Sequence, residues 1–345
     1  MEKFGYRFSF GPWNIHEGAD PFGPAVRPTR GFDEKLKIFQ ELGFDAVQFH
    51  DDDAVPNLDG FSATQIAEKA QEMRQKLEDH GLVAEFVAPR LWEHPNTIDG
   101  AFTSNNPNAR QYAIERAKKT VDIARELGCN LMVLWLAREG TYLREAKDPA
   151  RAANQILEAV NTLLEYDQEL RIAIEPKPNE PMDMAYIPTI GHALAVAFQT
   201  VASERVGALV ESAHAILAGL DPSDEMAFAL GFDKLYSVHL NDQNGLKFDE
   251  DRSFGSIDLR RAFNQVRVLD AHEYHKKGVV GLDVKAMRTQ PPEMATKHLR
   301  NSLQTFLRLV AVVRSMDQVK MNELIADRDY EELDLFIINS LMGTC

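Results

Sequence analysis

The sequence predicts a closed barrel of eight parallel strands, each followed by a helix, and three observations carry that prediction. Eight short apolar runs alternate with longer stretches such as SATQIAEKAQEMRQKLEDHG, whose apolar residues recur three and four apart. No linker or low-complexity stretch interrupts the series, and 345 residues is a common length for one such α/β barrel. The segment after the first run reads FGPWNIHEGAD. It lacks the GxGxxG that a doubly wound open sheet, the runner-up fold, uses there to seat a dinucleotide.

The elements follow in order. A first strand is expected at 6–10 (YRFSF), running out to Trp13. A second at 46–49 (AVQF) leads into FHDDD, with His50 and Asp53. The third, at 83–87 (VAEFV), leads to Arg90, Trp92 and His94, and the fourth, at 131–135 (LMVLW), ends at Trp135. Gly43, Gly81 and Gly128 stop the intervening helices, and Asp148-Pro149 caps and opens the next one. The fifth strand, at 171–174 (RIAI), halts at Glu175 in EPKPNEP. Three prolines without donors and with fixed φ end the strand and stiffen its loop, so Glu175, Lys177 and Glu180 are held rigidly. The sixth, at 206–210 (VGALV), delivers Glu211 and His214. The seventh, at 235–240 (LYSVHL), carries His239 and Asn241, then KFDED with Asp249 and Asp251. The eighth, at 278–282 (GVVGL), ends at Asp283 and Lys285. The expected division is a catalytic barrel over 1–316 and a short helical tail over 317–345.

A net charge of −15 argues against nucleic acid and anionic membranes as partners, since both demand basic patches. The two cysteines, Cys129 and Cys345, form no disulfide framework or CxxC pair, which fits a reducing cytoplasm. The N-terminal stretch has no basic region followed by an apolar core, and no apolar run is long enough to span a bilayer.

In a (β/α)8 barrel the chemistry sits at the C-terminal strand ends, where all three tryptophans of this chain fall. Carboxylates gathered there cannot all stay ionised without cations. Carboxylate oxygens with one or two imidazoles suit Mg, Mn or Co. Glu175, Glu211, His214, His239, Asp249, Asp251 and Asp283 are too many for one ion, so two divalent ions are expected, with Glu211 placed to bridge them. Each residue alone has a bland explanation: a carboxylate as a helix cap, FHDDD as a solvated turn, the tryptophans as rim packing. Independent accidents should not populate nearly every strand end.

RFSFGPW, DPFG, FHDDD, GAFTSN, LW..REG, AIEPKPNEP, PTIGHALA and KFDEDRSFG together resemble D-xylose isomerase, the two-metal (β/α)8 aldose–ketose isomerase, particularly its shorter actinobacterial-type branch. The match spans residues 7 to about 260 and continues more weakly through Asp283. The resemblance implies roles. His50, oriented by Asp53, would handle the sugar ring oxygen, and Lys177 the oxygen at the carbonyl end. Trp13 and Trp135 would wall the carbons, and Phe22 would reach into a neighbouring subunit's site. One ion would take Glu175, Glu211, Asp283 and the residue at the seventh strand; the other Glu211, His214, Asp249 and Asp251. The implied reaction is a metal-assisted 1,2-hydride shift on a D-xylose-like sugar, in a cytoplasmic homodimer or homotetramer.

Three departures stand out. His239 replaces the family's aspartate (VHLND for IDLNG), giving a Glu/Glu/His/Asp set that looks like the single-metal site of ketose 3-epimerase and inosose dehydratase barrels. It should favour Mn or Co over Mg. In VAPRLWEHP, Ala88 and Arg90 stand where threonine and asparagine are usual, and Trp92 where phenylalanine is. With Asn241 and Lys285 these residues complete the expected substrate wall and point to an altered sugar. The tail is short for an arm that wraps a neighbour. The alternative is an epimerase or isomerase of a modified sugar or cyclitol, moving protons through a metal-held enediolate.

Overall fold

The computed structural model describes residues 2–245 and 248–343. Cys345, the last residues of the expected tail and Lys247 of KFDED lie outside the described residues. Eight strands form the barrel: β1 (Phe8–Phe10), β2 (Ala46–His50), β3 (Val83–Ala88), β4 (Leu131–Trp135), β5 (Arg171–Glu175), β6 (Val206–Glu211), β7 (Leu235–Leu240) and β8 (Val280–Leu282). They are hydrogen-bonded in chain order, and β1 pairs with β8 in parallel, which closes the ring. The fold is the α/β barrel that the alternation of strand and helix predicts. β1 begins two residues later than expected, because the Tyr6 N–H bonds back to the Lys3 carbonyl in a turn and cannot join the ladder.

The helices close the outside by burying one face each. In Ala63–Asp79, capped by Ser62 and Gln65, the buried residues are Ile66, Ala70, Met73 and Leu77, one stripe at helical spacing. Gly43 and Gly128 stop their helices in the left-handed conformation at φ 79°, where a side chain would be strained.

The barrel interior is divided. Phe86, Ala88, Leu131, Val133, Ala173 and Leu209 pack as an apolar cluster against Trp13. Toward β1 and β7 the filling is polar. Gln48 Nε2 donates to Ser9 Oγ at 3.1 Å and Glu85 Oε2 at 3.2 Å, and Ser237 Oγ donates to Glu85 Oε1 at 2.7 Å. Gly281 makes room for that network, since a Cβ there would lie 2.3 Å from Gln48 Nε2.

Register sets the site. β4 pairs with β5 so that Trp135 lies beside Glu175, and β6 pairs with β7 so that Glu211 lies beside His239. A two-residue antiparallel pair, Gly140–Thr141 with Met184–Ala185, ties the loop after β4 to the loop after β5. No periodicity reading detects strands that short. The final helices, Gln318–Asp327 and Tyr330–Met342, return to the chain's own barrel: Phe336 joins the core and Asp334 pairs with Arg260. Among the described residues no helix is long and apolar enough to cross a membrane.

Candidate metal and substrate site

The ends of β5 to β8 form an acidic floor. Glu175 closes β5, and Glu211 closes β6 as the N-cap of the helix Ser212–Leu217, which presents His214 one turn on. Three groups of ligand atoms lie within 4.8 Å of one another: Glu175, Glu211 and His214; Glu211, His239 and Asp283; Glu211, Asp249 and Asp251. Glu211 belongs to all three. His239 Nδ1 is 3.4 Å from both Glu175 Oε1 and Glu211 Oε2 and 3.8 Å from Asp283 Oδ2. His214 Nε2 is 3.3 Å from Glu211 Oε1 and 3.2 Å from Asp249 Oδ2, while its Nδ1 is 3.6 Å from Glu175 Oε1.

Two lysines answer the acids. Lys177 Nζ lies 3.0 Å from Asp249 Oδ2 and 3.1 Å from Glu180 Oε2, and Lys285 Nζ pairs with Asp251. Asn241, expected on the substrate wall, is placed behind the floor instead. Its amide donates to Glu211 Oε1 at 2.9 Å and Asp251 Oδ1 at 3.1 Å, and its carbonyl accepts the Ala213 N–H. It braces two acids through one planar group.

Burial raises Glu175, Glu211, Asp249 and Asp251 alike, and their neighbours decide the outcome. The charges of His239 and His214 overcome burial at Glu175 and bring it to about 2. At Glu211 burial, with repulsion from Asp249 and Asp283, exceeds the help of His214 and pushes the carboxyl up to about 7. Burial and Asp249 raise Asp251 well above the carboxylate range. Against burial, Lys177 and His214 hold Asp249 well below it. Burial alone would lower His214 and His239, but the surrounding carboxylates raise both. A floor on which burial and mutual repulsion raise two of the acids is short of positive charge. Among the described residues, the buried atoms His214 Nδ1, His239 Nε2 and Asp249 Oδ1 have no hydrogen-bond partner. Oxygen and imidazole donors, unpaired and in charge excess, fit divalent cations.

The ends of β1 to β4 form an aromatic wall. Trp13 stacks on His50 with centroids 4.3 Å apart, His50 meets the edge of Trp92 at 5.0 Å, and Trp92 meets Trp135 at 4.5 Å. Lys177 Nζ lies 5.3 Å over the Trp135 ring, joining wall to floor. On the other side Trp13 Nε1 and Asn14 Nδ2 both donate to Asp283 Oδ1, at 3.0 and 3.1 Å. Between wall and floor is a cavity of about 740 Å³, large enough for a small sugar. Phe22 stands outside it, 86% exposed, tilted against Phe248.

The three aspartates of FHDDD have three separate tasks. Asp51 is fully buried and takes the Arg116 fork at 2.8 Å on each oxygen. Asp52 accepts from Arg90 Nε at 2.7 Å. Asp53 Oδ2 accepts the His50 backbone N–H at 3.1 Å and is 3.1 Å from His50 Nδ1. Arg90 comes closer still, with Nη2 2.7 Å from the same Nδ1. Sequence reasoning did not anticipate this contact. It also missed Glu139, whose buried carboxylate accepts the N–H groups of Ala101, Phe102 and Thr103 and so pins GAFTSN to LWLAREG. Arg138 was missed too; it lines the cavity and donates from Nε to the Trp92 carbonyl at 3.0 Å.

A model of the xylose isomerase-like TIM barrel family matches residues 36–306. Among solved structures, a xylose isomerase domain protein from Alicyclobacillus acidocaldarius subsp. acidocaldarius aligns with TM-score 0.62 at 15% identity, covering 90% of this chain and 100% of that one. D-psicose 3-epimerase from Clostridium cellulolyticum H10, solved with D-tagatose, aligns at 0.61 and 14%, covering 89% and 99%. A protein of Sinorhizobium meliloti 1021 aligns at 0.63 and 19%, covering 88% and 98%. At these identities the likeness is one of fold.

Proposed function

Since the chain belongs to the xylose isomerase-like TIM barrel family, we propose that it is a metal-dependent sugar isomerase that interconverts an aldose and a ketose of D-xylose type. The observation that carries this is Glu211, common to all three ligand groups on a floor with too few cations. Glu175, Glu211, His239 and Asp283 would hold one divalent ion, and Glu211, His214, Asp249 and Asp251 a second. When bound, such ions polarise a carbonyl and acidify the neighbouring hydroxyl. The rest is the protein's own work. Lys177, fixed by Asp249, Glu180 and the prolines around it, holds positive charge at the carbonyl oxygen without rearranging. Trp13, Trp92 and Trp135 cover the sugar carbons and keep water from the reacting pair, a condition for a hydride to pass between adjacent carbons.

His239 favours a second reading. A Glu/Glu/His/Asp set suits a single ion, and with it a 3-epimerase of ketoses that moves protons instead of hydride. One experiment separates the readings: turnover of C2-deuterated aldoses, and of ketoses in heavy water, with Mg, Mn or Co. Label carried to C1 of the ketose supports the hydride shift. Solvent exchange at C3 supports the epimerase. No turnover of any sugar in the panel removes both. In the same assay His239→Asp should move the metal preference toward Mg. Phe22, exposed beside Phe248, suits a homo-oligomer, and light scattering of the wild type and Phe22→Ser tests that assembly.

A further inference from the structure

We infer that Arg90 is a positioning residue that locks the His50 ring in the tautomer bearing its hydrogen on Nε2, so that His50 meets the cavity as a hydrogen-bond donor. The argument starts with the 2.7 Å contact between Arg90 Nη2 and His50 Nδ1. A guanidinium carries only donors and is always charged. Two N–H groups cannot face each other across that distance, so Nδ1 must supply a lone pair. The neutral ring then carries its one hydrogen on Nε2.

Asp53 is the competitor, because a carboxylate at Nδ1 would demand the opposite tautomer. Its Oδ2 is farther away, at 3.1 Å, and already accepts the His50 backbone N–H. Burial raises the Asp53 carboxyl, but the contacts with His50 and the charge of Arg90 hold it below the usual range. Its Oδ1 also lies 3.7 Å from Arg90 Nη2, so the carboxylate has a cationic neighbour besides the ring. Nor is Arg90 free to swing away. Nε is bonded to Asp52 at 2.7 Å, Nη1 to Glu93 at 3.3 Å, and the guanidinium lies 5.4 Å from the centre of the Trp92 ring. The imidazole cannot turn over either, stacked on Trp13 on one side and met by Trp92 on the other. The charged groups around it are Arg90 and Asp53, then Asp52 and Glu93 beyond Arg90, and Lys35 behind Asp53.

Two consequences follow. A sugar ring oxygen has lone pairs only, so a fixed Nε2–H is the complementary group for it; this assignment rests on the sugar reading of the site. The tautomer itself does not. His50 then serves the reaction as a donor, and the hydroxyl hydrogen must be taken up elsewhere on the floor.

The test is long-range 1H–15N correlation on protein labelled at its histidine nitrogens, at about pH 7.5, where an unperturbed imidazole is neutral. His50→Gln identifies the His50 signals among the ten histidines. The wild type should show a bare Nδ1 and a protonated Nε2. In Arg90→Met the hydrogen should move to Nδ1, facing Asp53, and in Arg90→Lys, which keeps a donor, the wild-type pattern should largely return. A wild-type ring protonated at Nδ1, or doubly protonated, overturns the inference, and so does an Arg90→Met spectrum identical to wild type. Should Arg90→Met not fold, the wild-type spectrum decides alone. The reading uses no turnover, so an inactive sugar panel beside the expected tautomer sinks the proposed function and leaves this inference standing.

Discussion

From β5 to β8 the strand ends carry Glu175, Glu211, His239 and Asp283, whereas from β1 to β4 they lead to Trp13, His50, Arg90 with Trp92, and Trp135. Both halves come from the same βα geometry, which puts every strand's C-terminal end on one face. One half concentrates charge and braces it with Asn241, Lys177 and Lys285. The other concentrates aromatic surface and braces it with ion pairs, the buried Asp51 with Arg116 and the half-buried Asp52 with Arg90. The contrast teaches how the site gains its strength. Charges act most strongly where water is excluded, and the floor cannot exclude water by itself. The wall lowers the dielectric over a floor that provides the field.

If the halves divide the labour in this way, variants in each should fail differently. Glu211→Ala should have the largest effect, since it removes a ligand from all three groups. Metal content after stripping and refilling should collapse, and turnover should fall below detection. Normal metal uptake in this variant would break the division at its centre. Lys177→Met comes next, because one positioned charge at a reacting oxygen is worth roughly 10²–10³ in kcat. Its circular dichroism should match wild type, and kcat at saturating sugar is the reading. Trp92→Ala, in the wall, should cost about tenfold in KM, near the value of one lost apolar contact surface. Its metal titration should be unchanged. Loss of metal from the Trp92 variant would show that the halves are not separable.

How much of this was legible depends on what each residue's position encodes. The candidate ligand residues were readable because a strand that stops at an acid in a βα series must present that acid at the barrel mouth. Glu175 and Glu211 do so, and the β6–β7 register carries His239 to the same level. Side-chain direction beyond the strand end is another matter. Asn241 follows a buried strand and looked available to substrate, but its backbone turns it behind Glu211. Glu85 lies within VAEFV and drew no attention in the sequence, since so short a strand shows no clear alternation; it faces the interior with Gln48 and Ser237. Arg90 was readable as a departure, and its partner was not. The contact with His50 Nδ1 joins residues forty positions apart through two loops, a relation that no local pattern encodes.

The smallest expected effect tests the joint between the halves. Trp13 and Asn14 reach across from the wall to Asp283 of the floor, and the Asn14 carbonyl is in turn held by His298 Nε2 at 2.8 Å, from the helix Lys297–Ser315. His298 is buried, and burial is the main cause that lowers its pKa from 6.5 to about 4. Above pH 6.5 the imidazole is neutral in both folded and unfolded chains and adds no pH dependence. Below that value the unfolded chain takes up a proton that the folded chain refuses, so stability falls with pH until the folded pKa is reached. The fall amounts to about 1.4 kcal/mol per unit, or about 3 kcal/mol in all. Moving from about pH 7.5 to about pH 5.5 should therefore cost the wild type about 1 kcal/mol more than His298→Gln, which keeps a donor for Asn14 but does not titrate. Urea midpoints of both proteins at both pH values measure the difference, and other titrating groups cancel in the comparison. Equal losses would mean that His298 is not held neutral in the folded chain. A larger loss in the wild type, with Trp13 fluorescence changing before global unfolding, would mark this joint as the place where wall and floor separate first.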